Sequence, residues 1–170
     1  IKSNDELRKI YPFEFEFELS FTLKDKSVEV NHLVKNLDTK SIYFQIGGHP
    51  AFNAPLFEGE TYEDYYLEFD QDLTLETYLL GESGLVSDNT KTIIENSDRI
   101  QLTKDLFNND ALIFKNITSK NVSLKSKNHG SILSVSYDDF KNLGVWAKPG
   151  APYVCIEPWL GIADVESTDQ

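Results

Sequence analysis

Three short segments hold the side chains best suited to moving protons. The first, residues 46–55, reads "IGGHPAFNAP" and sets His49 between a glycine pair and a proline at the end of an apolar run. Glycine lets the backbone take positive φ or approach a ligand closely, and Pro50 biases His49 toward an extended conformation. Histidine titrates near neutrality, so a residue presented from such a platform suits general acid or base work. A histidine that merely occupies a turn satisfies the same local pattern, and this segment alone leaves both readings open.

The second segment, residues 151–164, reads "APYVCIEPWLGIAD". As a strand it puts Tyr153, Cys155 and Glu157 on one face and Val154 and Ile156 on the other, with Pro158 just after the carboxylate. Burial beside Cys155, Pro158 and Trp159 raises a glutamate's pKa and makes it a better base, whereas a protonated histidine nearby lowers it. A structural glutamate bonded to backbone at the strand end remains the alternative. In the third segment, "LFNNDALIF" over residues 106–114, Asp110 stands at a turn-to-strand junction, a common place for an ordinary turn aspartate. Trp146, Trp159 and Phe52 offer flat surfaces for a sugar's apolar face, although aromatics in sheet proteins are core residues by default. The other histidines read differently. His129 lies in the hairpin-turn signal "KNHG", and His32 shares a strand face with Val28, Val30 and Val34.

These residues need a scaffold, and its period is two. In "FEFEFELSFTL" the residues Phe13, Phe15, Phe17, Leu19, Phe21 and Leu23 alternate with polar ones, which predicts a strand buried on one face and wet on the other. Further strands are predicted over residues 28–35, 42–46, 65–69, 73–80, 99–102, 111–115, 122–125, 132–137, 143–146 and 153–157. Breakers such as "NLDTK", "GESG", "KNHG" and "KPGAP" separate them. The only helical feature expected is a short turn at residues 103–107. Many short strands without a sustained helical period predict an all-β fold, an antiparallel sandwich or barrel.

The composition narrows the function. A chain of 170 residues fits one domain, 40% apolar content can fill its core, and no apolar run approaches the roughly 20 residues of a membrane-spanning helix. A net charge of -12 repels nucleic acid and anionic membrane surfaces. The acidic stretch from Glu58 to Asp72 reads as a solvated face, because the spacing of a calcium loop is absent. A single cysteine, Cys155, forms no internal disulfide and by itself builds no metal site; it fits a reducing, cytoplasmic setting.

Taken together, "YPFEFEF" at residues 11–17, "IGGHPAFNAP", "LFNNDALIF" and "VCIEPWLGIAD" at residues 154–164 resemble the aldose 1-epimerase (mutarotase) family, and most closely its branch of lactose-operon-associated bacterial proteins. The resemblance implies a large antiparallel β-sandwich of the galactose mutarotase-like type, with a sugar pocket on its concave side. It implies interconversion of the α and β anomers of a hexose by ring opening and closure, with no cofactor and no metal. His49 would be the acid on the ring oxygen and Glu157 the base on the C1 hydroxyl. Asp110, Asn53, Phe52 and Trp159 would contact the sugar. A carbohydrate-binding or regulatory domain with the same pocket is the alternative, and a glycoside hydrolase using Asp110 and Glu157 is a more distant one.

Family members are substantially longer, and nothing here matches their N-terminal strands or the arginine and second histidine that those carry. Residues 1–170 are therefore expected to form the C-terminal part of one sandwich domain. Either the missing N-terminal portion or a second copy would cover the open sheet edges. No basic cluster accompanies the motifs, although Lys148 lies near the Glu157 segment.

Overall fold

The computed structural model describes residues 1–81 and 84–167. The chain forms two compact units, Ile1–Phe44 and Gln45–Gln170.

In the first unit a single helical turn, α1 (Asp5–Arg8), is capped by Asn4, whose side chain accepts the Leu7 N–H at 2.9 Å. The strands β1 (Phe15–Lys24) and β2 (Ser27–Asn36) then pair as a long antiparallel ribbon. Their register sets Phe17 against Val34, Phe21 against Val30 and Leu23 against Val28, so the alternation predicted for this segment is real. Its burial is not. Phe21 is 67% and Leu23 77% exposed, because a two-stranded ribbon has no second layer of its own. His32 is half-buried and stacks on Phe17 with ring centres 6.2 Å apart.

The second unit is a sandwich. One sheet runs in the order β3 (Ala51–Asn53), β10 (Tyr153–Trp159), β9 (Asn142–Trp146), β6 (Leu112–Phe114). The other runs β5 (Val86–Gln101), β4 (Tyr65–Leu80), β7 (Asn121–Ser126), β8 (Gly130–Ser136). Both give alternate residues to one core, with Leu112, Phe114, Val145, Val154 and Ile156 from the first and Leu67, Phe69, Ile100, Val122 and Leu124 from the second.

Several boundaries differ from the sequence reading. Residues 65–69 and 73–80 are one strand, β4, whose polar "DQD" is carried through as a break in register between Glu68 and Leu73. The strand β5 starts far upstream of the predicted residue 99. It occupies the edge of its sheet, where most side chains stay exposed and no apolar alternation is required. Residues 42–46 do not form a strand, and residues 103–107 form turns rather than a helix. Of the predicted breaker "GESG", Glu82 and Ser83 lie outside the described residues.

The acidic stretch is not simply a solvated face either. The Glu60 carboxylate accepts hydrogen bonds from Ser126 Oγ at 2.6 Å, from Asn128 Nδ2 at 3.1 Å and from the Tyr65 hydroxyl, and lies 2.9 Å from His129 Nδ1. His129, predicted as a plain turn residue, also stacks on Phe57 at 3.9 Å. Glu68 pairs with Lys125 and Arg99. Among the described residues no helix is long and apolar enough to cross a membrane.

Candidate active site

The strand β10 brings the predicted residues together. It alternates strictly, with Val154, Ile156 and Pro158 on the core side and Tyr153, Cys155, Glu157 and Trp159 on the outer side. On one flank, β3 pairs Asn53 with Tyr153, Phe52 with Val154 and Ala51 with Cys155. The same register continues past the end of β3. The Ile156 N–H donates to Pro50 O at 3.2 Å, Gly48 N–H to Pro158 O at 2.9 Å and Leu160 N–H to Ile46 O at 2.8 Å, and Gly47 bridges Trp159. Residues 46–53 thus act as one irregular edge strand, and its register puts His49 directly across from Glu157. Side chains of directly opposed residues share a face and meet. His49 Nε2 lies 3.3 Å from Glu157 Oε1.

The two members of the pair live in opposite surroundings. The His49 side chain is 63% exposed and that of Glu157 only 5%. Burial pushes the Glu157 carboxyl above its usual pKa, while His49 and a hydrogen bond from the Trp159 side chain pull it down, with burial prevailing. Cys155, also buried, has its thiol pushed up to about 11, chiefly by burial and secondarily by Glu157. The sulfur of Cys155, a ring nitrogen of His49 and a Glu157 oxygen all lie within 4.8 Å of one another.

Glycines make room for the aromatic floor. On the other flank β9 sets Gly144 across from Glu157 and Trp146 across from Cys155. The Trp159 ring lies over Gly144 and Gly47; a Cβ on either would run into it, and at Gly47 would also come 2.9 Å from Pro158 O. Close approach, rather than positive φ, is therefore what Gly47 supplies. Trp146 stands edge-on to His49 at 6.3 Å and is itself 6.3 Å from Tyr153. A concavity of about 380 Å³, lined in part by Gln45, Ile46, Ile113 and Ala163, adjoins the pair through Gly47 and Trp159.

The remaining expected sugar contacts divide. Asn53 and Trp159 lie on the same face as Glu157. Asp110 is exposed just before β6 in the same sheet, at φ 82, and its Oδ1 accepts the Ala111 N–H at 2.7 Å. Phe52 corrects the expectation. Paired with Val154, it faces inward and packs on the core, on the side away from His49 and Glu157. Cys155 and Tyr153 join the site, and so does Trp146, already named as a flat surface. The period-two pattern of residues 153–157 already put two of them beside Glu157, but nothing local points to Trp146 as a neighbour of His49.

The aldose 1-epimerase family profile matches residues 1–166. The chain belongs to the aldose 1-epimerase family. Protein LacX of Lactococcus lactis subsp. lactis, in plasmid and chromosomal forms, is 38% identical over 167 residues, which is 96% of this chain and 56% of the relative. A solved galactose mutarotase related enzyme from Lactobacillus acidophilus is 35% identical, with a TM-score of 0.89 over 99% of this chain and 57% of its own. A galactose mutarotase-like protein from Lactobacillus casei ATCC 334 is 27% identical, with a TM-score of 0.82 over 98% of this chain and 60% of its own. The two solved relatives share the β-sandwich, and the chain spans a little over half the length of the relatives it matches.

Proposed function

We propose that this chain carries the acid–base pair of an aldose 1-epimerase, with His49 as acid and Glu157 as base. The observation behind this reading is the opposition of His49 and Glu157 at 3.3 Å, one exposed and one buried. Mutarotation needs that arrangement because both oxygens that exchange protons, O1 and O5, hang on the same carbon. Glu157 takes the proton from the C1 hydroxyl, the O1 lone pair forms the carbonyl, the C1–O5 bond breaks, and O5 takes a proton from His49. Rotation about C1–C2 turns the other face of the aldehyde to O5, and the same groups run the steps in reverse. No electrons leave the sugar, and the pair ends as it began.

Burial suits Glu157 to this role, since a carboxylate held in apolar surroundings is a stronger base than one in water. The exposed His49 is free to move aside as the sugar enters. Asn53, Asp110 and Trp159 are the sugar contacts in this reading, Trp159 offering a flat face held against Gly144. The absence of Lys or Arg among Gln45, Ile46, Ile113 and the outer face of β10 favours a neutral hexose, with galactose the first to try.

The test is the approach to rotational equilibrium of freshly dissolved α-galactose and α-glucose, followed by polarimetry or NMR. The chain should accelerate it, and Glu157→Gln should lose roughly 10²-fold or more of that acceleration while keeping the fold. A spontaneous rate left unchanged for several hexoses, with one of them still bound, would replace the enzyme by a sugar-binding domain.

A further inference from the structure

Soft and borderline ligands converge on the reacting carboxylate. Cys155 and Glu157 project from the same face of β10 two residues apart, both buried, with the small Ala51 opposite Cys155. His49 reaches in from the edge strand. Donors on one tetrahedral zinc ion stand about 3.3–3.6 Å apart, given Zn–N, Zn–O and Zn–S bonds of roughly 2.0–2.3 Å. The His49–Glu157 separation of 3.3 Å already meets that spacing, and the third donor is within 4.8 Å of both. One thiol, one imidazole and one carboxylate suit zinc rather than magnesium or calcium, which take oxygen ligands. A second histidine–carboxylate contact, His129 with Glu60, has no sulfur in reach among the described residues, and its carboxylate is already filled by Ser126, Asn128 and Tyr65.

We propose that His49, Cys155 and Glu157 form a zinc-binding site, and that zinc bound there blocks sugar turnover. Binding forms a Zn–S bond as the Cys155 proton leaves to water, and ligates the Glu157 oxygen and the His49 nitrogen. The fourth position, on the exposed His49 side, falls to water. Zinc and sugar then compete for the same two side chains. Only this inhibitory consequence rests on the epimerase reading; the metal site does not.

The experiment uses the full, untagged chain with Co²⁺ as a spectroscopic probe and Zn²⁺ in competition with a chromophoric chelator. The expected result is one equivalent of metal, a near-ultraviolet sulfur-to-cobalt charge-transfer band, and loss of that band on adding zinc. Cys155→Ser should abolish the band and weaken zinc by about tenfold or more, and His49→Gln, at an exposed position that does not threaten folding, should weaken it similarly. Zinc should slow mutarotation in the wild type, a chelator should restore it, and Cys155→Ser should resist at the same zinc concentration relative to its own metal-free rate. Cobalt binding without a sulfur band, or equal zinc affinity in wild type and Cys155→Ser, overturns the site. A sulfur band with undiminished mutarotation overturns the inhibition. A chain with no mutarotation at all leaves the cobalt band to decide the site, so failure of one reading is not failure of the other.

Discussion

Glu157 and Glu60 are both buried carboxylates, and their surroundings drive them in opposite directions. Around Glu157 burial prevails, so the ionised form is disfavoured in the folded chain relative to the unfolded one. Its neutral isostere Gln removes that cost. Glu157→Gln should therefore melt no lower than the wild type at neutral pH even as it loses the acceleration of mutarotation, a separation that differential scanning calorimetry beside polarimetry would read. Around Glu60 burial opposes ionisation too, but hydrogen bonds from Ser126, Tyr65, His129 and Asn128 outweigh it and hold the carboxyl down at about 2. A glutamate in an unfolded chain titrates at about 4.3, so Glu60 stabilises the fold above that pH and loses its contribution as pH falls toward 2. Glu60→Gln should accordingly lower Tm at pH 6, and the gap between the two proteins should close between about pH 4.3 and pH 2. A gap that stays constant through that window would show that the charge of Glu60 does not matter.

At the scale of elements, the site depends on the register of an edge strand and on the glycines that let a tryptophan lie flat. At Gly47 an added Cβ would meet Trp159 Cδ1 at 2.5 Å and a backbone oxygen, Pro158 O, at 2.9 Å, and backbone cannot move cheaply. Gly47→Ala should destabilise by about 1–3 kcal/mol, a Tm fall of roughly 2–4 °C for each of those at this chain length. It should also shift tryptophan fluorescence and weaken sugar binding; a variant that melts normally with an unchanged spectrum would mean the cradle is slack. The alternation of residues 153–157 was legible from sequence, because a strand's own period decides which of its residues share a face. The opposition of His49 to Glu157 was not. It rests on hydrogen bonds between segments far apart in the chain, and residues 46–50, read alone, show only glycines, a histidine and a proline. The family motifs supplied the pairing, and the hydrogen bonds of Gly48, Ile156 and Leu160 supply its cause. Phe52 shows the reverse, a motif residue whose side chain the same register turns into the core.

For the whole molecule, the all-β architecture was legible because alternation and turn signals recur along the chain. The length of β5 was hidden by an edge position that tolerates polar residues on both faces. The ribbon of β1 and β2 presents Phe21, Leu23 and Val28 at more than half exposure, an apolar face that the ribbon itself does not cover. At tens of micromolar the chain should self-associate through that face, and Phe21→Lys should reduce the association seen by analytical ultracentrifugation without lowering Tm. A wild type that sediments as a monomer at every concentration would sink this expectation. The edge strand that carries His49 has a consequence in time as well as in space. Edge segments are among the first parts of a sheet to open locally. Each opening at Gly48 or Leu160 carries His49 away from Glu157, and each closing restores the 3.3 Å contact. The exchange of those two amides should therefore report how much of the time His49 and Glu157 stay in contact.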